Sequence, residues 1–233
     1  MRALVIEHDD VSPLGPIGDR MRERLYDLEM FRIPDEVIGA PGPDIEFPTI
    51  DDFDALVVLG AIYSVYDVGT HGRWVRPELE LARAADRAGI PVLGICFGGQ
   101  LLTTAHGGSV AKAPVGEIAW TSIETDDHTL VSPGPWFQWH FDRWQVPPGA
   151  TEVARNARAS QAWTMRRNLA VQFHPEVTAA SLHGWYETGG DQEARAFGLD
   201  PDEVMAQTVA EEPAAVARAH ALVDAFVDRV ATR

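Results

Sequence analysis

The only cysteine of the chain, Cys96, stands in the pattern GICFG at 94–98, directly after an apolar run. This is the form of a nucleophile elbow, in which a strand ends, the chain turns sharply and a helix begins. Small residues two positions before and after the cysteine avoid clashes in such a turn. The N-terminal amides of the helix favour a thiolate, and the amide of Phe97 would bond an oxyanion formed on a substrate carbonyl. The pattern is also compatible with a buried structural cysteine.

A second group of reactive residues, His174 and Glu176, follows the apolar segment 169–173. Residues two apart in an extended segment point the same way, so the Glu176 carboxylate can bond one nitrogen of the His174 ring. The other ring nitrogen is then free to face a thiol. We therefore predict a Cys96, His174 and Glu176 triad of nucleophile, base and orienting carboxylate, although a His-Pro-Glu segment alone is more typical of a turn. His140, in the segment WHFD, is a weaker candidate for lining the site, and His106 is expected to pack within a helix.

The elements that must position these residues can be read from the apolar runs at 3–6, 55–59, 91–95 and 169–173. Continuous apolar runs are typical of central strands that are covered on both faces by helices. Helical patterns at 19–28, 77–88 and 99–106 separate the strands. This order predicts an α/β fold with a doubly wound, mostly parallel sheet, in which ligands bind at the carboxyl ends of the strands. Tryptophans among turn residues between 117 and 148 predict a small antiparallel excursion.

Length and charge limit the function classes. The 233 residues, 45% apolar, predict one domain over 1–233 in which 186–233 is a helical C-terminal extension. A formal net charge of −16 repels nucleic acid and anionic membranes, so neither is expected as a partner. The N-terminus lacks a signal-peptide pattern, no apolar run reaches the ~20 residues of a membrane helix, and a lone cysteine forms no intrachain disulfide. We therefore expect a cytoplasmic protein. The spacing of histidines and carboxylates predicts no metal or cofactor site.

Two motifs in this order carry a resemblance to a known family: PVLGICFGGQ at 91–100 and QFHPEV at 172–177. Together they resemble the class I (triad) glutamine amidotransferases, above all stand-alone proteins similar to the amidotransferase domain of guanosine monophosphate synthetase. Further segments fit the family in the same order, at 56–60, 64–67, 116–120, 139–142 and 146–150. The likeness covers roughly residues 1 to 185.

The resemblance implies a flavodoxin-like fold and a role for each matched residue. It makes Cys96 the nucleophile, His174 the base and Glu176 the residue that orients the base. It also implies that Phe97 supplies one oxyanion amide and that Gln100 contacts the substrate, with further site residues in the turn after the second strand. There, Gly60-Ala61-Ile62 stands where the family usually has Gly-Gly-Pro. The amide of Ala61 is the implied second oxyanion donor, but alanine disfavours the positive φ that glycine permits.

The family's activity is release of ammonia from the glutamine side chain through a cysteine thioester. The chain is too short to include a synthase as well, so we expect a separate acceptor subunit. The changed turn at 60–63 keeps a second hypothesis open, a hydrolase of γ-glutamyl peptides or amines. A third is a non-catalytic binding or regulatory protein on the same scaffold.

Overall fold

The computed structural model describes residues 1–34, 36–37, 40 and 43–232. The strands are β1 Arg2–Glu7, β2 Asp27–Arg32, β3 Ala55–Val58, β4 Val92–Ile95, β5 Ser109–Thr121, β6 Glu124–Thr125, β7 Trp136–Gln145, β8 Thr151–Arg155, β9 Ser160–Met165 and β10 Asn168–Val171. The helices are α1 Gly15–Glu23, α2 Val68–Ala88, α3 Phe97–Ala105, α4 Ala179–Glu187, α5 Gly190–Ala196 and α6 Pro201–Ala225. A 3-10 turn lies at Ile50–Asp52 and a π-helical turn at Phe226–Val230.

A mixed sheet of eight strands, in the order β2-β1-β3-β4-β10-β9-β8-β6, forms the centre of the fold. Strands β2, β1, β3, β4 and β10 run parallel, and β9, β8 and β6 continue the sheet in antiparallel pairs. All residues of β3, β4 and β10 are buried, as expected for strands that are covered on both faces. The predicted doubly wound, mostly parallel α/β fold is confirmed.

The two faces of the sheet form separate apolar cores. Ala3 and Val5 of β1 point into one core, and Leu4 and Ile6 point into the other. This alternation follows from the two-residue period of a strand. Helices α1 and α6 cover the first face, and α2 and α3 cover the second.

The antiparallel excursion is present as a two-stranded sheet of β5 and β7. Most of residues 186–232 is helical, in α5, α6 and the π-helical turn, whereas Arg233 lies outside the described residues. Leu222 and Phe226 pack into the same core as β1. One domain over 1–233 stays a prediction. No helix in the described part of the chain is long and apolar enough to cross a membrane.

Two predicted elements were placed wrongly. The helix predicted at 19–28 is α1 at Gly15–Glu23, and Asp27–Arg32 is a strand. Leu25 ends this helix region with a left-handed φ of 66°. Strand β2 is an edge strand with no fully buried residue, so it lacks the apolar run that reveals the central strands.

Helix α2 begins at Val68, well before the start predicted at Pro77. Proline inside a helix removes one backbone N–H, so the carbonyl four residues earlier loses its helical partner. Here that carbonyl belongs to Arg73, and it accepts a bond of 2.9 Å from the N–H of Ile45. A long-range bond therefore satisfies the backbone group that the proline leaves free, and the helix continues through it.

Candidate active site

Cys96 lies in a sharp turn between β4 and α3. Its φ of 52° and ψ of −108° are unusual for a residue with a Cβ, a conformation that costs of order 1–3 kcal/mol and clusters at functional sites. The turn admits only glycine on both sides, because a Cβ on Gly98 would lie 2.1 Å from the carbonyl oxygen of Val58, and one on Gly94 would lie 2.5 Å from the oxygen of Gly98. The strand, turn and helix expected around Cys96 are therefore all present.

The start of α3 supplies the electrostatics of the turn. Phe97 is the first residue of the helix, so its N–H has no partner within the helix. The aligned peptide dipoles place partial positive charge at this end and favour an anion there. Both a thiolate and a substrate oxyanion fit such a position.

His174 and Glu176 stand beside each other, as their spacing predicts. The Nδ1 atom of His174 is 2.6 Å from Oε1 of Glu176, and both residues are buried. The backbone N–H of His174 donates to the carbonyl of Phe137 at 2.8 Å, which ties the residue to the antiparallel excursion. The edge-on ring of Trp185, with ring centres 5.1 Å apart, limits rotation of the imidazole.

The charge on His174 follows from its surroundings. Burial opposes the charged form, but the Glu176 carboxylate and the Cys96 sulfur outweigh it and raise the pKa of His174 well above its usual range. A Cβ built on Gly60 would lie 3.0 Å from Cε1 of His174 and 3.7 Å from Cβ of Cys96. Gly60, Cys96 and His174 therefore lie next to one another. The Nε2 atom of His174 is buried there without a conventional hydrogen bond in the described structure.

The sequence analysis missed Gln172, which is fully buried next to the cysteine. Its Nε2 atom lies 3.7 Å from the Cys96 sulfur, and its Oε1 accepts from Nε2 of Gln100 at 3.3 Å. The amide can therefore donate to the sulfur while Gln100 holds it in place. The two-residue period that placed Glu176 beside His174 also places Gln172 on that side, so the signal was in the motif.

The turn after β3 lies across the site. Gly60 and Ala61 both line the cavity over Cys96. Ala61 is not among the residues with a left-handed φ, so alanine at this position costs no backbone strain. The Gly60 carbonyl accepts a hydrogen bond of 3.0 Å from Nδ1 of His8. Ile62 is 88% exposed at the mouth, where the family usually has a proline.

A cavity of about 720 Å³ opens over Cys96 and reaches Gln100, His174 and Glu176. Aromatic side chains form much of its wall: Tyr63, Tyr66, Trp139, Phe141 and Trp185. Asp142 is held in the wall by bonds from the hydroxyls of Ser64 at 2.5 Å and Tyr66 at 2.9 Å. His140 also lines the cavity, with Nδ1 2.9 Å from the carbonyl of Asp142.

His106 lies away from the cavity and packs against Trp163. The described residues contain no cluster of three or more histidines, cysteines and carboxylates that could hold a metal ion.

The sequence matches the family "Glutamine amidotransferase class-I" over residues 17–184. A GMP synthase (glutamine-hydrolyzing) of Aeropyrum pernix is 35% identical over 113 residues, 45% of this chain and 22% of that protein. A γ-glutamyl-L-1-hydroxyisopropylamide hydrolase of Pseudomonas sp is 28% identical over 167 residues, 64% of this chain and 54% of that protein.

Among solved structures, a glutamine amidotransferase of Thermotoga maritima superposes with a TM-score of 0.84 at 27% identity, and the match covers 98% of each chain. This chain spans 22% of the GMP synthase and 54% of the hydroxyisopropylamide hydrolase named above.

Proposed function

The chain belongs to the class-I glutamine amidotransferase family, and we propose that Cys96, His174 and Glu176 form its catalytic triad and release ammonia from the side-chain amide of glutamine. One observation carries the proposal. The cysteine occupies a strained turn at a helix N-terminus, directly beside a buried histidine that is bonded to a carboxylate at 2.6 Å. Folding alone does not require these three residue types together.

In the proposed reaction, the thiolate of Cys96 attacks the carbon of the γ-carboxamide, and a carbon–sulfur bond forms. The negative charge moves to the carbonyl oxygen, where the amides of Phe97 and Ala61 stabilise it. Protonated His174 gives its proton to the departing nitrogen, and ammonia leaves as the γ-glutamyl thioester forms. His174 then takes a proton from water, whose oxygen attacks the thioester, so that glutamate leaves and the thiolate returns.

The raised pKa of His174 supports the first of these steps. An imidazolium that is stabilised by Glu176 and by the sulfur keeps the proton available for the leaving nitrogen. Gln100, buried at the cavity wall, contacts the glutamine in this proposal.

Ammonia needs an acceptor, and we propose a separate synthase subunit in the cytoplasm. The curated relatives named GMP synthase carry a matching segment within a longer protein. Side chains and backbone amides perform every step that is proposed here.

A second candidate function is hydrolysis of a γ-glutamyl amide or peptide with a larger leaving group. The cavity of about 720 Å³ favours it, because this volume suits a ligand of drug-like size and has aromatic walls. The 28% identical relative, named a hydrolase of a γ-glutamyl amide, points the same way. The third hypothesis, a non-catalytic binding protein, leaves the strained cysteine and the buried histidine without a purpose.

The experiment that tests the proposal measures glutamate release from glutamine and from γ-glutamyl alkylamides by the purified chain, with Cys96→Ala as the control. Release from glutamine that is absent in the variant supports the amidotransferase. Release only from the alkylamides supports the second candidate. If neither substrate is cleaved and iodoacetamide alkylates Cys96 no faster than a free thiol, the triad proposal is wrong.

A further inference from the structure

A buried histidine and glutamate that take no part in the proposed triad lie beneath the turn after β3. His8 follows β1 and is 2% exposed, and Glu78 lies in α2 and is 0% exposed. The Nε2 atom of His8 is 3.2 Å and 3.3 Å from the two carboxylate oxygens of Glu78. Two ionisable groups that are so far from water are costly unless each is well paired, which raises the question of what they hold in place.

The proton positions follow from the bonding partners. A carbonyl oxygen only accepts hydrogen bonds, so Nδ1 of His8 must carry the hydrogen in its 3.0 Å bond to Gly60. The Nε2 atom on the other side of the ring faces the carboxylate of Glu78. Glu78 therefore holds the ring with Nδ1 turned toward the Gly60 carbonyl.

That carbonyl sets the direction of the next amide. The peptide between Gly60 and Ala61 is trans and planar, so its C=O and N–H point in opposite directions. With the carbonyl bonded to His8, the N–H of Ala61 faces away from the buried histidine. Gly60 itself lies against Cys96 and His174. A rotated peptide would present a carbonyl oxygen, which repels an oxyanion, where the amide should be.

The His8 ring also contacts the residue that carries the other oxyanion amide. It packs edge-on against the ring of Phe97, with centres 4.9 Å apart and planes at 67°. The ring of Trp74 lies on another side, at 5.3 Å. One buried side chain therefore touches Phe97 and the peptide whose N–H belongs to Ala61, the two sources of oxyanion amides in the proposed function.

We propose that His8, held by Glu78, is a positioning residue that keeps the Gly60–Ala61 peptide with its N–H available to the substrate oxyanion. The inference rests on the proposed function and goes beyond it, since it assigns a role to two residues that contact neither the thiol nor the imidazole.

Three substitutions separate the hydrogen bond from the packing of the ring. His8→Asn keeps an N–H donor at the position of Nδ1 but loses the ring. His8→Phe keeps a ring against Phe97 and Trp74 but loses the donor, and His8→Leu loses both. The matched control is His106→Phe, because His106 packs on Trp163 and bonds nothing in the turn.

The readouts are kcat and KM for the substrate that the wild-type chain cleaves, inhibition by glutamate γ-semialdehyde, and alkylation by iodoacetamide. The aldehyde carbon bonds to the sulfur and its oxygen takes the place of the oxyanion. In alkylation, the sulfur instead displaces iodide from the saturated carbon of iodoacetamide, and no oxyanion forms. We expect His8→Phe and His8→Leu to lower kcat about 100-fold. We expect KM to change less than about threefold. Aldehyde affinity should fall by the same factor as kcat, and alkylation should stay at the wild-type rate.

The rank order of kcat among the three His8 variants decides the inference. Activity of His8→Asn well above that of the Phe and Leu variants supports it, and the Asn and Leu pair suffices if the Phe variant does not fold. Activity of His8→Phe at or above that of His8→Asn overturns it, because ring packing would then be the role of His8. An active wild-type chain with three unaffected variants overturns this inference alone. A wild-type chain that neither cleaves an amide nor binds the aldehyde removes the proposed function as well.

Discussion

Replacing Glu176 by glutamine tests the electrostatics of the proposed triad. The carboxylate reaches Nδ1 of His174 through Oε1 at 2.6 Å, and its other oxygen is buried without a hydrogen-bond partner in the described structure. Glutamine keeps an oxygen that can accept from Nδ1 and removes the negative charge. The substitution therefore changes the charge next to the imidazole with little change in shape.

The size of the effect follows from this bond. A hydrogen bond to a charged group contributes about 1.5–3 kcal/mol and a neutral one about 0.5–1.5 kcal/mol, and each 1.4 kcal/mol corresponds to about tenfold in rate. Because glutamine keeps a neutral bond, the substitution removes only the difference between the two, about 1–1.5 kcal/mol, and kcat/KM should fall about 5- to 12-fold. Loss of the group that raises the pKa of His174 also makes the imidazolium lose its proton at a lower pH. The alkaline limb of the pH profile of kcat/KM should therefore move to lower pH.

The assay is glutamate release across the pH range, with circular dichroism as a check of folding. Glu193→Gln is the control, since Glu193 also lines the cavity but bonds the indole of Trp139 and not the imidazole. We expect its alkaline limb to match that of the wild type. An unchanged alkaline limb in Glu176→Gln, in a folded protein, would refute the assignment of this carboxylate as the partner of His174.

Four further substitutions test the surroundings of Cys96 and the rest of the fold. Gln172→Leu removes the amide 3.7 Å from the reactive sulfur. We expect about a tenfold loss in kcat/KM and slower iodoacetamide alkylation at neutral pH. An unchanged alkylation rate would contradict a donor role for this amide. Gly98→Ala places a methyl group 2.1 Å from a backbone carbonyl of β3, which should cost at least about 3 kcal/mol in a urea melt. Gly107→Ala, which has open space and a φ of +84°, should cost only about 1–2 kcal/mol. Arg229 lowers the pKa of the Asp127 carboxyl, so the pair stabilises the fold above the ordinary carboxyl pKa of 3.8, and this contribution is lost as the pH falls below that value. The melting temperature of Arg229→Met should therefore fall less than that of the wild type between neutral pH and pH 3. An unchanged slope of melting temperature against pH would argue against this role of the pair.

The prediction from the sequence was strongest where a local pattern has a local cause. The strands β3, β4 and β10 were recognised because burial on both faces demands an unbroken apolar run. Strand β2 was missed because an edge strand that is half exposed needs no such run. The start of α2 was missed because Pro77 reads as a helix start. The helix tolerates Pro77 in its interior because the N–H of Ile45 bonds the freed carbonyl of Arg73. Ile45 lies outside α2, so the local sequence of the helix does not reveal this bond.

For the candidate site, the motif spacing alone put Glu176 beside His174, since the geometry of an extended chain dictates it. The elbow around Cys96 was predicted on the same local grounds, because a strand that turns sharply into a helix requires small residues on both sides. Those residues are proposed as catalytic, and the experiments above decide it. The position of Gln172 beside the sulfur follows the same period and was available to the same reasoning.

What only the tertiary structure decided is the set of contacts between distant parts of the chain. His8 meets Gly60 across 52 residues and Glu78 across 70, and no periodicity relates positions so far apart. Likewise, the wall of the cavity combines the turn after β3, strand β7 and helix α4. The sequence by itself predicted the central strands and placed the reactive motifs at their carboxyl ends, because dihedral preferences and burial act within short windows. Which side chain supports the oxyanion turn, and how wide the cavity is, depend on how the sheet brings separate windows together.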